Sequence, residues 1–410
     1  VQGVTLEVFG EGMSYGPLND ALKASEQDIH KLQKKLADAR SRQNALMTRL
    51  ESAENQVKLR TMYNGDKVRE AFSRFDVLER RVDEAQGYAD ALKIGSDAPR
   101  TLGDEIAALE SFDKELIITF AVPGFVLLIL IEMVVVRMTR HGRYDVKDSA
   151  TSLLMGFGNQ VAGILFGIFA VLSLFWVYQF RLFDLGWTWP VLVACFFAED
   201  LAYYAFHRIA HERRFFWASH IVHHSSQHYN LTTALRQTWT GVLGLNFIFW
   251  LPLVLIGFPP GMVLMFQGFS LVYQFWIHTE TIGRMGPFEW VMNTPSHHRV
   301  HHAINAKYLD ANYAGVLIIW DRLFGTFVPE DAEQPRYGIV SQLGTFNPFR
   351  VAFHEWAGIF RDVGQAKSLR EVLGYTFGPP GWSPDGSRKT SASLKAEWTA
   401  RQQVAATPAE

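Results

Sequence analysis

The sequence predicts an all-α protein: N-terminal coiled-coil helices, then a multi-span α-helical membrane domain with a cytoplasmic histidine-rich cap. Three observations carry this. A 3.5-residue apolar seam runs along residues 22–57, several apolar stretches of near-membrane length follow residue 116, and most of the 14 histidines stand in short clusters. Charge divides the chain in the same place. Residues 1–116 hold 17 Lys+Arg, 21 Asp+Glu and no Trp, whereas the rest holds the remaining 22 and 20 with all 12 Trp. A net charge of −2 argues against a nucleic-acid partner, which needs a basic face. The single cysteine, Cys195, excludes a disulfide scaffold and a Cys-based zinc finger. The polar first twenty residues lack the basic start and apolar core of a signal peptide, so none is expected.

The first element is a long helix over 18–57. Leu22, Ser25, Ile29, Leu32, Leu36, Ala39, Gln43, Leu46, Leu50, Ala53 and Val57 follow one another in alternating steps of three and four. That period keeps one narrow face against a partner helix. A second helical stretch, 66–93, carries Val68, Ala71, Phe72, Phe75, Leu78 and Val82. A hairpin or rod over 1–115 is expected, acting as a spacer or offering residues 22–57 to a coiled-coil partner. The seam and the run from Val68 to Asp83 resemble the phage shock protein A family of bacterial membrane-stress coiled coils. That family's N-terminal membrane-contacting helix has no counterpart here, so its functions are not carried over.

The membrane domain is expected over 116–345. The apolar stretches 116–136, 152–177, 187–206, 240–257 and 261–278 read as five spans of a bilayer core about 30 Å thick. Gly257-Phe-Pro-Pro-Gly261 suits a tight turn between the last two. Trp and Tyr near the ends of the stretches fit the two membrane interfaces. Arg137, Arg140, Arg143 and Lys147 follow the first span, and Arg208, Arg213 and Arg214 the third. The positive-inside rule then places 207–239 and 279–410 in the cytoplasm. With five full crossings the N-terminal coil lies outside, at odds with its cytoplasmic look-alikes. Residues 346–410 form an extension, of which 384–410 is polar and reads as a mobile tail.

The histidines carry the chemistry. His207 and His211 are an i, i+4 pair. His220, His223 and His224 follow i, i+3, i+4, and His298, His301 and His302 repeat that pattern. Residues so spaced share a helix face, so each cluster directs its rings to one locus. His278 ends the fifth apolar stretch and joins them. These nine imidazoles exceed what one tetrahedral zinc takes, and they suit two metal ions with four or five ligands each. Open positions on such ions would admit oxygen. His30, His141 and His354 read as core residues, His228 is ambiguous, and His297 is left out of the ligand set. Asp200 shares a face with His207 and His211 and is a candidate to fix the tautomer of a ligand ring. Glu212 is a second candidate, for the same work or for accepting a proton, and Glu280 a weaker third.

The series HxxxH, HxxHH, HxxHH on these residues resembles the fatty acid hydroxylase/sterol desaturase superfamily of membrane di-iron enzymes. Further runs carry the likeness: Trp217 to Gln237, His278-Thr-Glu280, Asn293 to His302 and Asn312 to Phe327. The resemblance implies two iron ions, O2, an electron donor and a membrane lipid substrate hydroxylated at an alkyl, acyl or sterol carbon. One branch of the superfamily cleaves ether lipids with a reduced pterin, and these runs look most like that branch. Taken alone, the residues leave other readings open: a sterol desaturase-type oxidase, a non-catalytic metal-binding membrane scaffold, and, ranked last, a metal transporter.

Overall fold

The computed structural model describes residues 114–406 and, before them, Lys34 alone. The expected coiled coil and its partner face therefore lie outside the described residues. Among those described, every regular element is helical, and the only strand-like contacts are two isolated antiparallel bridges, Met292 with Leu317 and Ala303 with Tyr337.

Three helices come first: α1 (Lys114–Thr139), α2 (Val146–Tyr178) and α3 (Trp189–Glu212). Each is long and apolar enough to cross a membrane. Their outer faces expose large apolar side chains, among them Leu127, Val134, Ile164 and Phe169, as a lipid-facing helix does. Asp145 caps α2 by accepting from the Asp148 amide, and Pro190 opens α3 at a position where no amide hydrogen bond is lost. The short α4 (Arg214–His224) turns back directly from α3. The single turn α5 (Leu231–Ala234) follows, boxed by Asn230 and Thr233.

The fourth and fifth expected spans form helices shorter than the first three. Residues 246–256 form a 3-10 turn (Asn246–Trp250) and then α6 (Leu251–Ile256), far too short to traverse a bilayer. α7 (Pro260–Trp276) has 17 residues, or about 25 Å of rise. The inward side chains of both helices meet protein. Leu253, Val254, Phe258, Met262, Val263 and Met265 pack against Leu174, Tyr178, Cys195, Phe206 and Ala210 from α2 and α3. The turn needs its glycine: Gly257 has φ +131°, and a Cβ there would stand 2.0 Å from the Phe183 carbonyl oxygen.

α8 (Pro295–His301) and α9 (Ile319–Phe324) flank a long loop. α10 (Pro348–Gly364) then packs on α4. Arg214 of α4 pairs with Glu355 (2.6 Å) and Asp362 (2.7 Å) of α10. After α11 (Leu369–Phe377), the region read as a tail contains the helix α12 (Ser391–Ala406), preceded by Arg388, which pairs with Asp362. Low apolar content hid a sequence rich in Ala, with Gln, Lys, Arg and Glu, residues that favour helix without a buried face.

Candidate metal centre

α3 ends in His207 and His211, α4 in His220, His223 and His224, and α8 in His298 and His301, with His302 as its C-cap. His278 follows α7 by two residues. The fold brings all nine together in two sets. His207, His211, His220, His224 and His301 form one, and His223, His278, His298 and His302 the other; within each set the ligand atoms lie within 4.8 Å of one another. The sets adjoin, with the rings of His224 and His302 stacked at 4.3 Å. His297 stands apart, against Phe327.

The division follows helix geometry. In each HxxHH cluster the i, i+4 pair serves one set and the intervening i+3 ring serves the other: His220 and His224 against His223, and His298 and His302 against His301. Adjacent helical residues point about 100° apart, so neighbouring rings cannot reach the same ion.

Four of the nine rings are oriented by backbone carbonyls. Nδ1 of His207 lies 2.7 Å from the Tyr313 oxygen, that of His301 3.0 Å from Ala311, that of His278 2.7 Å from Gln274, and that of His223 3.3 Å from Arg236. A carbonyl only accepts, so Nδ1 carries the proton and Nε2 presents a lone pair. Yet Nε2 of His223 and His278 are 3.1 Å apart, and similar distances of 2.9–3.2 Å link His207 to His220, His220 to His224, His224 to His301, and both His278 and His302 to His298. In the His223–His278 pair both Nδ1 atoms are held by carbonyls, so two Nε2 lone pairs face each other, and a cation between them would relieve that. Imidazole–metal bonds of about 2.1 Å place neighbouring ligands of an octahedral ion about 3.0 Å apart, so the residues fit a metal ion in each set. His211 Nε2 is buried with no hydrogen-bond partner, consistent with the same use. Burial pushes His220, His224, His278, His298, His301 and His302 well below the usual imidazole range, and His223 down to about 4. Neutral rings are what a metal requires.

The three expected carboxylates do not hydrogen-bond a ligand ring. Asp200 is fully buried, but it accepts from the amides of Val316 (2.8 Å) and Leu317 (3.0 Å) and from Trp320 Nε1 (2.9 Å). Glu212 is turned outward onto Arg208, at 2.8 Å. Glu280 lies beside Gly142. Ring orientation falls instead to the carbonyls, and carboxylates hold the chain that supplies them. Asp321 accepts from the Tyr313 and Ala314 amides, both at 2.8 Å. With Asp200 it fixes the loop whose carbonyls orient His207 and His301. For the second set, Asp148 of α2 pairs at 2.8 Å with Arg236, whose carbonyl faces His223. Glu132 of α1 accepts from the Leu231 amide (2.8 Å) and from the Thr279 hydroxyl, next to His278. Sequence reading missed Asp148 and Asp321. Glu132 stood out only as a charge inside an apolar run, a signal worth following.

A pair of adjoining all-imidazole sites at the ends of membrane helices defines a class: membrane-bound, histidine-ligated metalloproteins. Residues 192–326, which include all nine histidines, match the fatty acid hydroxylase family model, and this segment is a fatty acid hydroxylase domain. The chain is similar to alkylglycerol monooxygenase of Homo sapiens, 41% identical over 273 residues, covering 65% of this chain and 60% of the human protein. It is 40% identical to that of Xenopus tropicalis over 266 residues, covering 64% and 59%. It is 30% identical over 142 residues to ornithine lipid hydroxylase OlsE of Rhizobium tropici, covering 34% and 43%. The match thus spans about 60% of the length of the two alkylglycerol monooxygenases. No solved structure matches the chain. Together with its three long apolar helices, the domain makes this an integral membrane protein.

Proposed function

We propose that the protein is an iron- and oxygen-dependent lipid monooxygenase that inserts one oxygen atom into a C–H bond of an alkyl chain, with alkylglycerols as its substrate class. The observation that carries this is the division of nine imidazoles into two adjoining sets with edges of metal-site size. Iron bound there would supply the reduction of O2 and the removal of hydrogen from carbon. The protein's part is to hold the rings by their Nδ1 protons and to exclude water from a buried centre. The overall balance consumes C–H, O2, two electrons and two protons and yields C–OH and water, so an electron donor is required; by likeness to the alkylglycerol monooxygenases, a reduced pterin is proposed. At a carbon bonded to an ether oxygen, the product is a hemiacetal that separates into an aldehyde and an alcohol.

The centre is proposed to face the cytoplasm. The Arg143 carbonyl accepts from Asn230 at 3.0 Å, so the basic loop after α1 lies on the same side as the chain following α3. Both segments are rich in Arg, which favours the cytoplasmic face.

The test is to purify the protein from iron-supplied cells, measure its metals, and follow O2-dependent aldehyde release from alkylglycerols with reduced pterin. Two irons per chain and turnover are expected, with turnover lost and the iron count falling toward one in His223→Ala. Zinc alone, with no turnover of any lipid, would replace this reading with a metal-bearing scaffold.

A further inference from the structure

α3 and α7 run side by side, in parallel and in constant register. The rings of Phe196 and Phe266 meet at 5.8 Å, and the Tyr203 hydroxyl donates to Gln274 Oε1 at 2.7 Å. One turn further on, His207 enters the five-histidine set and His278 the four-histidine set. The helix pair therefore leads to the junction of the two sites. Below the Tyr203–Gln274 bridge lies a groove of about 320 Å³, lined by Phe196, Glu199, Phe266, Ser270, Tyr273 and Val316. Its size falls within the range of small-molecule sites. Glu199 and Ser270 each precede a ligand histidine by eight residues, so the groove's inner part lies about 12 Å of helix rise from the ligands.

The wall's chemistry points to the occupant. Each polar group already has a protein partner: Glu199 accepts from Trp250 Nε1 (3.1 Å), Ser270 from Gln274 Nε2 (2.9 Å), and the Tyr273 hydroxyl donates to the Asn293 carbonyl (2.6 Å). The surface left facing the groove is mostly apolar. Phe269, also on the wall, is 47% exposed on the outer surface of this helix pair, beside a membrane-crossing helix. The groove thus opens toward lipid.

We infer that this groove receives the hydrocarbon chain of the lipid substrate, its reacting end directed up the α3–α7 pair toward the junction of the two metal sites. The word substrate rests on the oxygenase reading above; occupancy by an alkyl chain rests on the groove itself.

The test uses the full chain in lipid nanodiscs, an alkylglycerol with a diazirine at the chain terminus, irradiation, and peptide mapping. Label is expected within 192–203 and 262–274. In Ser270→Trp, labelling at equal probe concentration should fall by at least about tenfold, equivalent to two methylenes kept out, with metal content unchanged. Should that variant lose its metal, Ser270→Leu makes the same comparison at about fourfold, one methylene. Label concentrated on other helices, or unchanged in the metal-replete variant, overturns the inference. Label in the groove with no lipid turnover would keep the groove and remove the oxygenase reading. Turnover with label elsewhere would do the reverse.

Discussion

Asp200 and His207 share a face of α3 without touching; the carboxylate reaches the imidazole through the backbone of another loop. Its two oxygens hold the amides of Val316 and Leu317, and the Tyr313 carbonyl a few residues earlier takes the Nδ1 proton of His207. Asp200→Asn replaces one acceptor oxygen with a donor facing an amide or the Trp320 ring. The loop should loosen and the five-histidine set lose metal affinity by about 10–100-fold, the usual effect of losing a ring-orienting partner. Metal analysis should then find about one ion per chain against the two proposed for the parent. Unchanged stoichiometry and affinity would deny Asp200 a positioning role.

The second set has its own brace, so it should fail separately. Arg236 is among the most deeply buried side chains, and Asp148 is its ion-pair partner. Asp148→Asn leaves a buried guanidinium short of its counter-charge, at a cost of about 3–5 kcal/mol. A lower Tm is expected, with loss confined first to the metal held by His223, His278, His298 and His302. Metal lost equally from both sets would show that the braces are not independent.

Much of this centre was legible in advance, because imidazoles at three- and four-residue spacing are a side-chain pattern that a helix converts directly into proximity. The division between ions was legible in principle too, since His223 and His224 cannot point the same way. The orienting groups were not. They are carbonyls of Ala311, Tyr313, Gln274 and Arg236, and backbone atoms leave no mark on composition or spacing. Asp200 was expected to fix the tautomer of a ligand ring; it instead holds the Val316 and Leu317 amides and Trp320, because helical facing does not say which loop arrives on that face. The apolar stretch 240–257 misled for a related reason: hydropathy reports a side chain's preference for leaving water, not whether lipid or Phe206 receives it.

Acid should weaken the docking of α10 on α4 through Asp362. Arg388, then Arg214, hold its carboxyl down to about 2, below an ordinary 3.8. A depressed carboxylate contributes stability that is present above the unfolded value and lost as pH falls through the folded one. The contribution should therefore disappear between about pH 3.8 and 2. Asp362→Asn should lower Tm at neutral pH and flatten its fall across that window, as thermal melts at stepped pH would show. A parallel fall in parent and variant would assign the acid sensitivity elsewhere.

Removing the metals should loosen the centre more than it unfolds the protein. Without ions, the lone pairs of His223 and His278, 3.1 Å apart, face each other uncompensated. The helices that carry them are nevertheless anchored independently: α3 and α7 by the apolar core around Cys195 and Met262, and α8 by Arg299, which pairs with Glu330 and donates to the Thr279 and Ile282 carbonyls. A ligand present at a thousand times its Kd adds about 4 kcal/mol, so chelation should lower Tm in proportion to the free metal withdrawn. Hydrogen exchange should rise first in α4 and around 293–302, while the amides of α2 stay protected. Uniform exchange across all helices after chelation would mean that the metals hold the fold itself, and not only the site.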